Sequence, residues 1–153
     1  MVSPKEVPAN RLIIELANIL KNDYPQIKPP PWALYIKTGV HRERVPDYSD
    51  WWYIRASAIL RKIFLRGIVG VERLRTAFGG RKQIGTRKCH FRKGGGSIIS
   101  EILQQLEEAK LVKKIDSKGR TLTPEGLSLL YRTSNKVFRS IVKETPELKK
   151  YII

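Results

Sequence analysis

Apolar residues recur at helical spacing in three separate stretches of the chain. Residues 8–22 carry them three or four positions apart from Leu12 to Leu20, which predicts an amphipathic helix that begins near Pro8. Residues 51–66 (WWYIRASAILRKIFLR) are apolar over most of the helical circumference, so we expect a central helix that Gly67 terminates. Residues 98–109 place five aliphatic side chains on one face, which predicts a third helix whose inner face includes Leu103 and Leu106.

Polar residues with capping or turn chemistry mark the ends of these helices. Asp50 precedes the central helix and Ser97 precedes the third, so each is a candidate N-cap, and Glu101 is expected in the first turn of the third helix. Residues 25–31 (PQIKPPP) cannot form a helix or a central strand, and we expect an extended connector there. Residues 70–78 read as a short helix.

The second half of the chain predicts a β-hairpin followed by a helix. Residues 111–115 and 120–122 form two short strand patterns around the turn sequence Asp-Ser-Lys-Gly. Thr123-Pro124 then supplies an N-cap and a proline at the first helical position of a helix that runs toward residue 142. A short final helix is expected from residue 145. This order predicts a mainly α, winged-helix-like domain with a small β-hairpin wing.

The length and composition narrow the class of protein. A chain of 153 residues predicts a single domain over 1–153, with the N-terminal helix 8–22 beside a core formed by 50–143. One cysteine excludes a disulfide framework, and no apolar run is long enough to span a bilayer. With only Cys89, His90 and His41 available as soft ligands, we expect no zinc site and no other metal. We find no nucleotide-binding or catalytic motif, so we expect neither a cofactor nor enzymatic activity.

The charge is unusually high and is concentrated in one region. The chain carries 30 Lys and Arg against 14 Asp and Glu, a net charge of +16. Residues 51–93 hold twelve of the basic side chains and a single acid, Glu72, which is a net charge of +11. A surface that is merely soluble would mix both signs throughout. The excess therefore indicates an anionic partner for this region.

Two groups of cations form this region. In the central helix, Arg55, Lys62 and Arg66 fall within a narrow arc, with Ile59 between them, Trp52 at the edge and Arg61 to one side. The Gly-rich segment 79–96 supplies loop cations that include Arg81, Lys82, Arg87 and Lys88, and we expect residues 81–93 to be mobile without a partner. Trp52 either stacks on a base or packs in the core, and the sequence favours neither.

The location of the charge distinguishes an RNA-binding from a DNA-binding role. A winged-helix regulator of transcription would place residues 98–109 in the major groove of DNA. That helix presents, on its predicted outer side, Glu101, Gln104, Gln105, Glu107 and Glu108, and its carboxylates would repel phosphates. The basic helix and the irregular basic loop fit folded RNA better. The DNA-binding regulator remains the alternative.

Several stretches together resemble a known family. The segments IKPP (27–30), KTGVH (37–41), DWWYIRA (50–56), FGGR (78–81) and LQQLE (103–107) are similar to the nineteen-e protein family of the archaeal and eukaryotic small ribosomal subunit. The resemblance covers nearly the whole chain. The absence of a eukaryotic-type extension suggests an archaeal member. Glu101 departs from the family pattern, which often has a basic residue there.

The resemblance implies a function and a set of contact residues. It implies a structural protein that binds ribosomal RNA in the head of the small subunit and supports subunit assembly and late pre-ribosomal RNA maturation. Neighbouring small-subunit proteins and assembly factors are implied as partners, with a cytoplasmic ribosomal location, no membrane and a monomer when free. The implied RNA-binding residues are Trp52, Arg55, Arg61, Lys62, Arg66, Arg81, Lys82, Arg87 and Lys88.

Overall fold

The computed structural model describes residues 1–151. Helices dominate this part of the chain. In chain order the helices and strands are α1 (Ala9–Asp23), α2 (Trp51–Arg66), α3 (Val71–Ala77), β1 (Gly80–Ile84), β2 (Arg87–Arg92), α4 (Gly96–Glu108), β3 (Val112–Ile115), β4 (Gly119–Leu122) and α5 (Pro124–Glu144). Two 3-10 helices, Pro31–Leu34 and Pro146–Tyr151, complete the set.

The arrangement confirms a mainly α, winged-helix-like fold. Strands β3 and β4 pair antiparallel from Val112 opposite Leu122 to Ile115 opposite Gly119 and form the predicted wing. The turn between them uses left-handed backbone at Ser117 and Gly119. A Cβ at Gly119 would lie 2.7 Å from the backbone of Val69, whose amide and carbonyl bond to Arg120. The wing is therefore attached to the segment between α2 and α3.

Helix α2 is the centre of the hydrophobic core. Its buried face includes Trp52, Ile59, Leu60 and Ile63, each no more than 1% exposed. It packs against α1, α4, α5 and β4. The inner face of α4 joins the same core, and both Leu103 and Leu106 are fully buried as predicted. The segment 25–31 contributes Ile27 to this core.

The helix ends agree only in part with the sequence predictions. Gly67 ends α2 with a φ of 84°, and the Thr123 hydroxyl caps α5 by accepting from the Gly126 amide at 3.2 Å. Asp50 does not cap α2, because its carboxylate pairs with Lys21 at 2.9 Å. Ser97 is not a cap either. Helix α4 begins at Gly96, two residues before the predicted start at 98, which leaves Glu101 beyond the first turn.

The predicted loop over residues 79–96 is wrong for most of its length. Strands β1 and β2 pair antiparallel, with Arg81 opposite Phe91 and Lys82 opposite His90. The register shifts beyond Lys82, and Gly85 turns the chain with a φ of 55°. Every residue of β2 is exposed, so no alternation of apolar and polar residues marks this hairpin in the sequence. Backbone pairing forms it instead.

Candidate nucleic-acid interface

A wide cleft opens between the loop of residues 37–48, the first half of α2, the end of α3 and strand β1. Its volume is about 1100 Å³. Six cations line it, against two carboxylates, Glu43 and Asp47. The six are Lys37, Arg42, Arg44, Arg55, Arg81 and Lys82. The cleft thus brings together cations from two predicted contact groups, the central helix and the basic hairpin. It also includes three cations of the loop 37–48, which the sequence does not predict as contact residues.

Arg55 is the cation that the fold constrains most in this cleft. Its guanidinium carbon lies 4.3 Å from the centroid of the Phe78 ring, which is a cation–π geometry. No carboxylate of residues 1–151 lies within ion-pair distance of it. Burial, and then repulsion from Arg42, lower the pKa of Arg55 to about 10. The side chain is therefore still charged at neutral pH, in a place where an anion would stabilise it.

His41 forms part of the cleft wall and is held tightly by two glycines. A Cβ at Gly39 would lie 2.7 Å from its ring, and one at Gly80 would lie 2.8 Å from it. Its Nδ1 atom is buried and has no hydrogen-bond partner among the described residues. Burial, followed by repulsion from Arg42 and Arg55, lowers the pKa of His41 and so favours its neutral form. Sequence reasoning places His41 in an ordinary polar loop.

The hairpin is anchored at its base by Glu72. This carboxylate accepts from Arg75 at 2.9 Å and from Lys93 at 2.8 Å, and these hydrogen bonds lower the pKa of Glu72. Arg75 also donates to the Gly94 carbonyl at 3.0 Å. The single acid of residues 51–93 thus joins α3 to the chain that leaves β2.

The remaining hairpin cations have no such partner. Arg81, Arg87 and Lys88 are exposed, and Lys82 is half-buried. Among residues 1–151, none of these four lies within ion-pair distance of a carboxylate. The hairpin therefore presents uncompensated positive charge beside the cleft.

The cations of α2 differ in exposure and do not form one exposed stripe, although Arg55, Lys62 and Arg66 fall within the narrow arc given by the sequence. Ile59, within their arc, is fully buried, and Arg55 faces the cleft. Lys62 is half-buried and Arg66 is exposed at the end of the helix. Arg61 stands on another side of α2, as expected, and its Nε atom is buried without a partner in the described chain.

Trp52 is a core residue, which is the second of the two roles that the sequence left open, and its complete burial disagrees with the RNA contact that the resemblance implies. Its side chain is 0% exposed and packs edge-on against Trp32 and Trp51. The indole N–H donates to Gln105 Oε1 at 2.9 Å. The sequence predicts Gln105 on the outer side of α4, but this hydrogen bond holds it in the core.

The outer surface of α4 remains unsuited to DNA. Gln104 and Glu108 are exposed, Glu101 is half-buried, and Glu107 forms an ion pair with Arg120 on the wing. This helix therefore offers no free cation to a major groove except Lys110, which follows it. The cleft and the β1–β2 hairpin are basic surfaces that lie elsewhere on the molecule.

Comparison with known proteins agrees with the sequence resemblance. The profile of a family described as ribosomal protein S19e matches residues 3–140. The chain belongs to the S19e family. Three relatives match it over almost their whole length. Two are named small ribosomal subunit protein eS19 and the third is named small ribosomal subunit protein eS19A.

The three relatives come from archaea and a eukaryote. The Aeropyrum pernix protein is 50% identical, covering 99% of this chain and 100% of its own. The Thermoplasma acidophilum protein is 38% identical over 99% of this chain and 100% of its own. The Schizosaccharomyces pombe protein is 37% identical, covering 95% and 98% respectively. S19e relatives therefore occur in archaea and in a eukaryote, as the resemblance implies.

Two more observations on this S19e chain concern membrane-spanning helices and metal sites. No helix formed by residues 1–151 combines the length and apolar character needed to cross a membrane. Within the same residues, no group of three or more His, Cys, Asp or Glu side chains is arranged to hold a metal ion.

Proposed function

We propose that this chain is a structural constituent of the small ribosomal subunit that binds ribosomal RNA in the head through the cleft and the β1–β2 hairpin. The proposal includes a non-enzymatic role in subunit assembly and late pre-ribosomal RNA maturation, beside neighbouring proteins and assembly factors. The free protein is a monomer, and its place in the cell is the cytoplasmic ribosome. Family membership and the names of the relatives support the ribosomal part of this proposal.

The uncompensated charge of residues 51–93, three of whose cations line the cleft, is the observation that carries the RNA-binding part. Ten of the twelve cations in residues 51–93 have no carboxylate within 4 Å in the described chain, since Glu72 pairs only with Arg75 and Lys93. Arginine binds phosphate through two parallel hydrogen bonds and stacks on bases. An irregular cleft that carries Arg55 over Phe78 therefore suits folded RNA with unstacked nucleotides better than a regular groove.

The chain offers a matched pair of variants for testing the interface. Lys82→Glu/Lys88→Glu reverses two charges on the β1–β2 hairpin, and Lys113→Glu/Lys114→Glu reverses two on the wing. Both variants change the net charge by the same amount. We expect the first to weaken binding to head-domain RNA about tenfold at moderate salt, and to reduce the slope of log affinity against log salt by about 1.5. Filter binding across a salt series measures both quantities.

The control decides between a specific interface and a general effect of charge. Equal losses in the two variants would contradict the proposed interface, because net charge alone would then explain binding. A larger loss in the wing variant, measured on duplex DNA as well as RNA, would favour the DNA-binding alternative. Defined cleavage of precursor RNA by the purified protein would contradict the non-enzymatic role.

A further inference from the structure

Helix α5 carries a second row of cations on its exposed side. Arg132, Lys136, Arg139 and Lys143 are all exposed and follow one another at intervals of four, three and four residues. At about 100° per residue they fall within an arc of about 60°. At about 1.5 Å per residue the row is about 16 Å long. One strand of a nucleic-acid duplex places several phosphates along such a length, at about one per 3.4 Å.

A groove of about 510 Å³ runs along this row. The four cations line it together with Asn135 and Ser140. No carboxylate and no aliphatic or aromatic residue contributes to its lining. An interface with another protein usually has an apolar centre inside a polar rim. This groove has no such apolar residues: the hydrocarbon stems of its Arg and Lys side chains form most of its lining, and their charged ends are available to a phosphate backbone.

Few acids compensate the row. Lys136 pairs with Glu15 on α1, while no carboxylate in residues 1–151 lies within 4 Å of the charged ends of Arg132, Arg139 or Lys143. Glu144 follows Lys143 but pairs with Arg11 at 2.8 Å. Three of the four cations therefore have no counter-charge within the described molecule.

The groove is separate from the cleft described above. The cleft is lined by residues 37–83 alone and the groove by residues of α5 alone, with no residue in common. The two surfaces cannot therefore be parts of one continuous pocket. They are two separate basic surfaces on one fold.

We propose that the α5 groove binds the backbone of a second RNA segment, so that the protein holds two segments of the head RNA relative to each other. This inference rests on the proposed function, because it takes ribosomal RNA as the partner. It adds a second contact surface and a bridging role. The absence of aromatic residues from the groove means that recognition there is by backbone and not by bases.

Three variants of the full chain, bound to head-domain RNA, test the proposal. Arg139→Glu/Lys143→Glu alters the groove, Lys82→Glu/Lys88→Glu alters the hairpin, and Lys113→Glu/Lys114→Glu is the control with the same loss of charge. Hydroxyl-radical footprinting shows which nucleotides each variant still protects. We expect the groove variant to lose about tenfold in affinity at moderate salt and to lose a set of protected nucleotides that the hairpin variant retains.

The outcomes separate this inference from the proposed function. A groove variant with the affinity and footprint of the control would overturn the inference and leave the proposed function intact. Loss of the same nucleotides in the groove and hairpin variants would also overturn it, since the two surfaces would then bind one segment. Failure of the wild-type protein to bind head RNA would overturn both.

A charge-neutralising variant, and a test for a protein partner of the groove, complete the experiment. Arg139→Gln/Lys143→Gln removes the positive charges without adding acids near the helix end, and we expect it to lose the same protected nucleotides. If the groove variant binds RNA normally but leaves the intact subunit at lower salt than the control, its partner is a protein, and the RNA inference is wrong.

Discussion

Gln105 shows how one polar side chain can connect three parts of a core. It is only 7% exposed, and its amide donates to the Lys28 carbonyl at 2.8 Å while its oxygen accepts from the Trp52 indole at 2.9 Å. These bonds link α4, the proline-rich connector and α2. A buried amide is stable only when its hydrogen bonds are made. The position of Gln105 therefore depends on the whole arrangement around it.

Replacing Gln105 tests this connection. We expect Gln105→Leu to lower the free energy of unfolding by about 1–3 kcal/mol, because the Trp52 N–H would be left buried without a partner and the hydrogen bond to the Lys28 carbonyl would be lost. The exposed neighbour provides the control, and Gln104→Leu should change stability by less than about 0.5 kcal/mol. Urea unfolding monitored by tryptophan fluorescence measures both. Equal midpoints for the two variants would contradict the role of Gln105.

At the scale of elements, local pattern predicts the helices well and the hairpin not at all. Helix α2 has the bounds expected from its apolar run and from Gly67, since both signals lie within the helix or next to it. The wing is also marked locally, by a turn sequence between short strands. The β1–β2 hairpin has no apolar face, so nothing in its sequence distinguishes it from a loop. Trp52 and Gln105 could not be placed either, because their burial depends on each other across the fold.

The structure of the hairpin predicts a difference in local stability. Each of its strands pairs chiefly with the other, and it has few contacts with the rest of the fold. We therefore expect the amides of β1 and β2 to exchange hydrogen much faster than those of α2 and α4 in the free protein. Binding of head RNA should slow this exchange. Hydrogen exchange followed by mass spectrometry measures both effects, and equal protection of the hairpin and the core helices would contradict the expectation that residues 81–93 are mobile.

At the scale of the whole molecule, the charge that suits RNA opposes folding of the free chain. A net charge of +16 on 153 residues repels itself, and +11 of it belongs to residues 51–93. At Arg55, burial and then repulsion from Arg42 lower the pKa of the side chain. Function and stability are therefore in opposition in this region, as they often are at binding sites.

This opposition gives a test that uses no RNA. We expect Lys82→Glu/Lys88→Glu to unfold at a temperature at least as high as the wild-type protein in low salt, although it binds RNA more weakly. Raising NaCl should stabilise the wild-type protein more than this variant, because salt screens the repulsion that the substitutions remove. A difference of about 1 kcal/mol corresponds to roughly 3 °C in a domain of this size. A wild-type protein that salt destabilises more than the variant would contradict this account.

Glu72 has a consequence for the speed of complex formation. By binding both Arg75 and Lys93 it cancels attraction that would otherwise speed the first encounter with a polyanion, but it also fixes the base of the hairpin relative to α3. An arm that is already oriented needs less rearrangement after first contact, so a larger share of collisions becomes productive. Glu72 thus slightly weakens the long-range attraction to a polyanion, but it reduces the rearrangement that the hairpin needs after first contact.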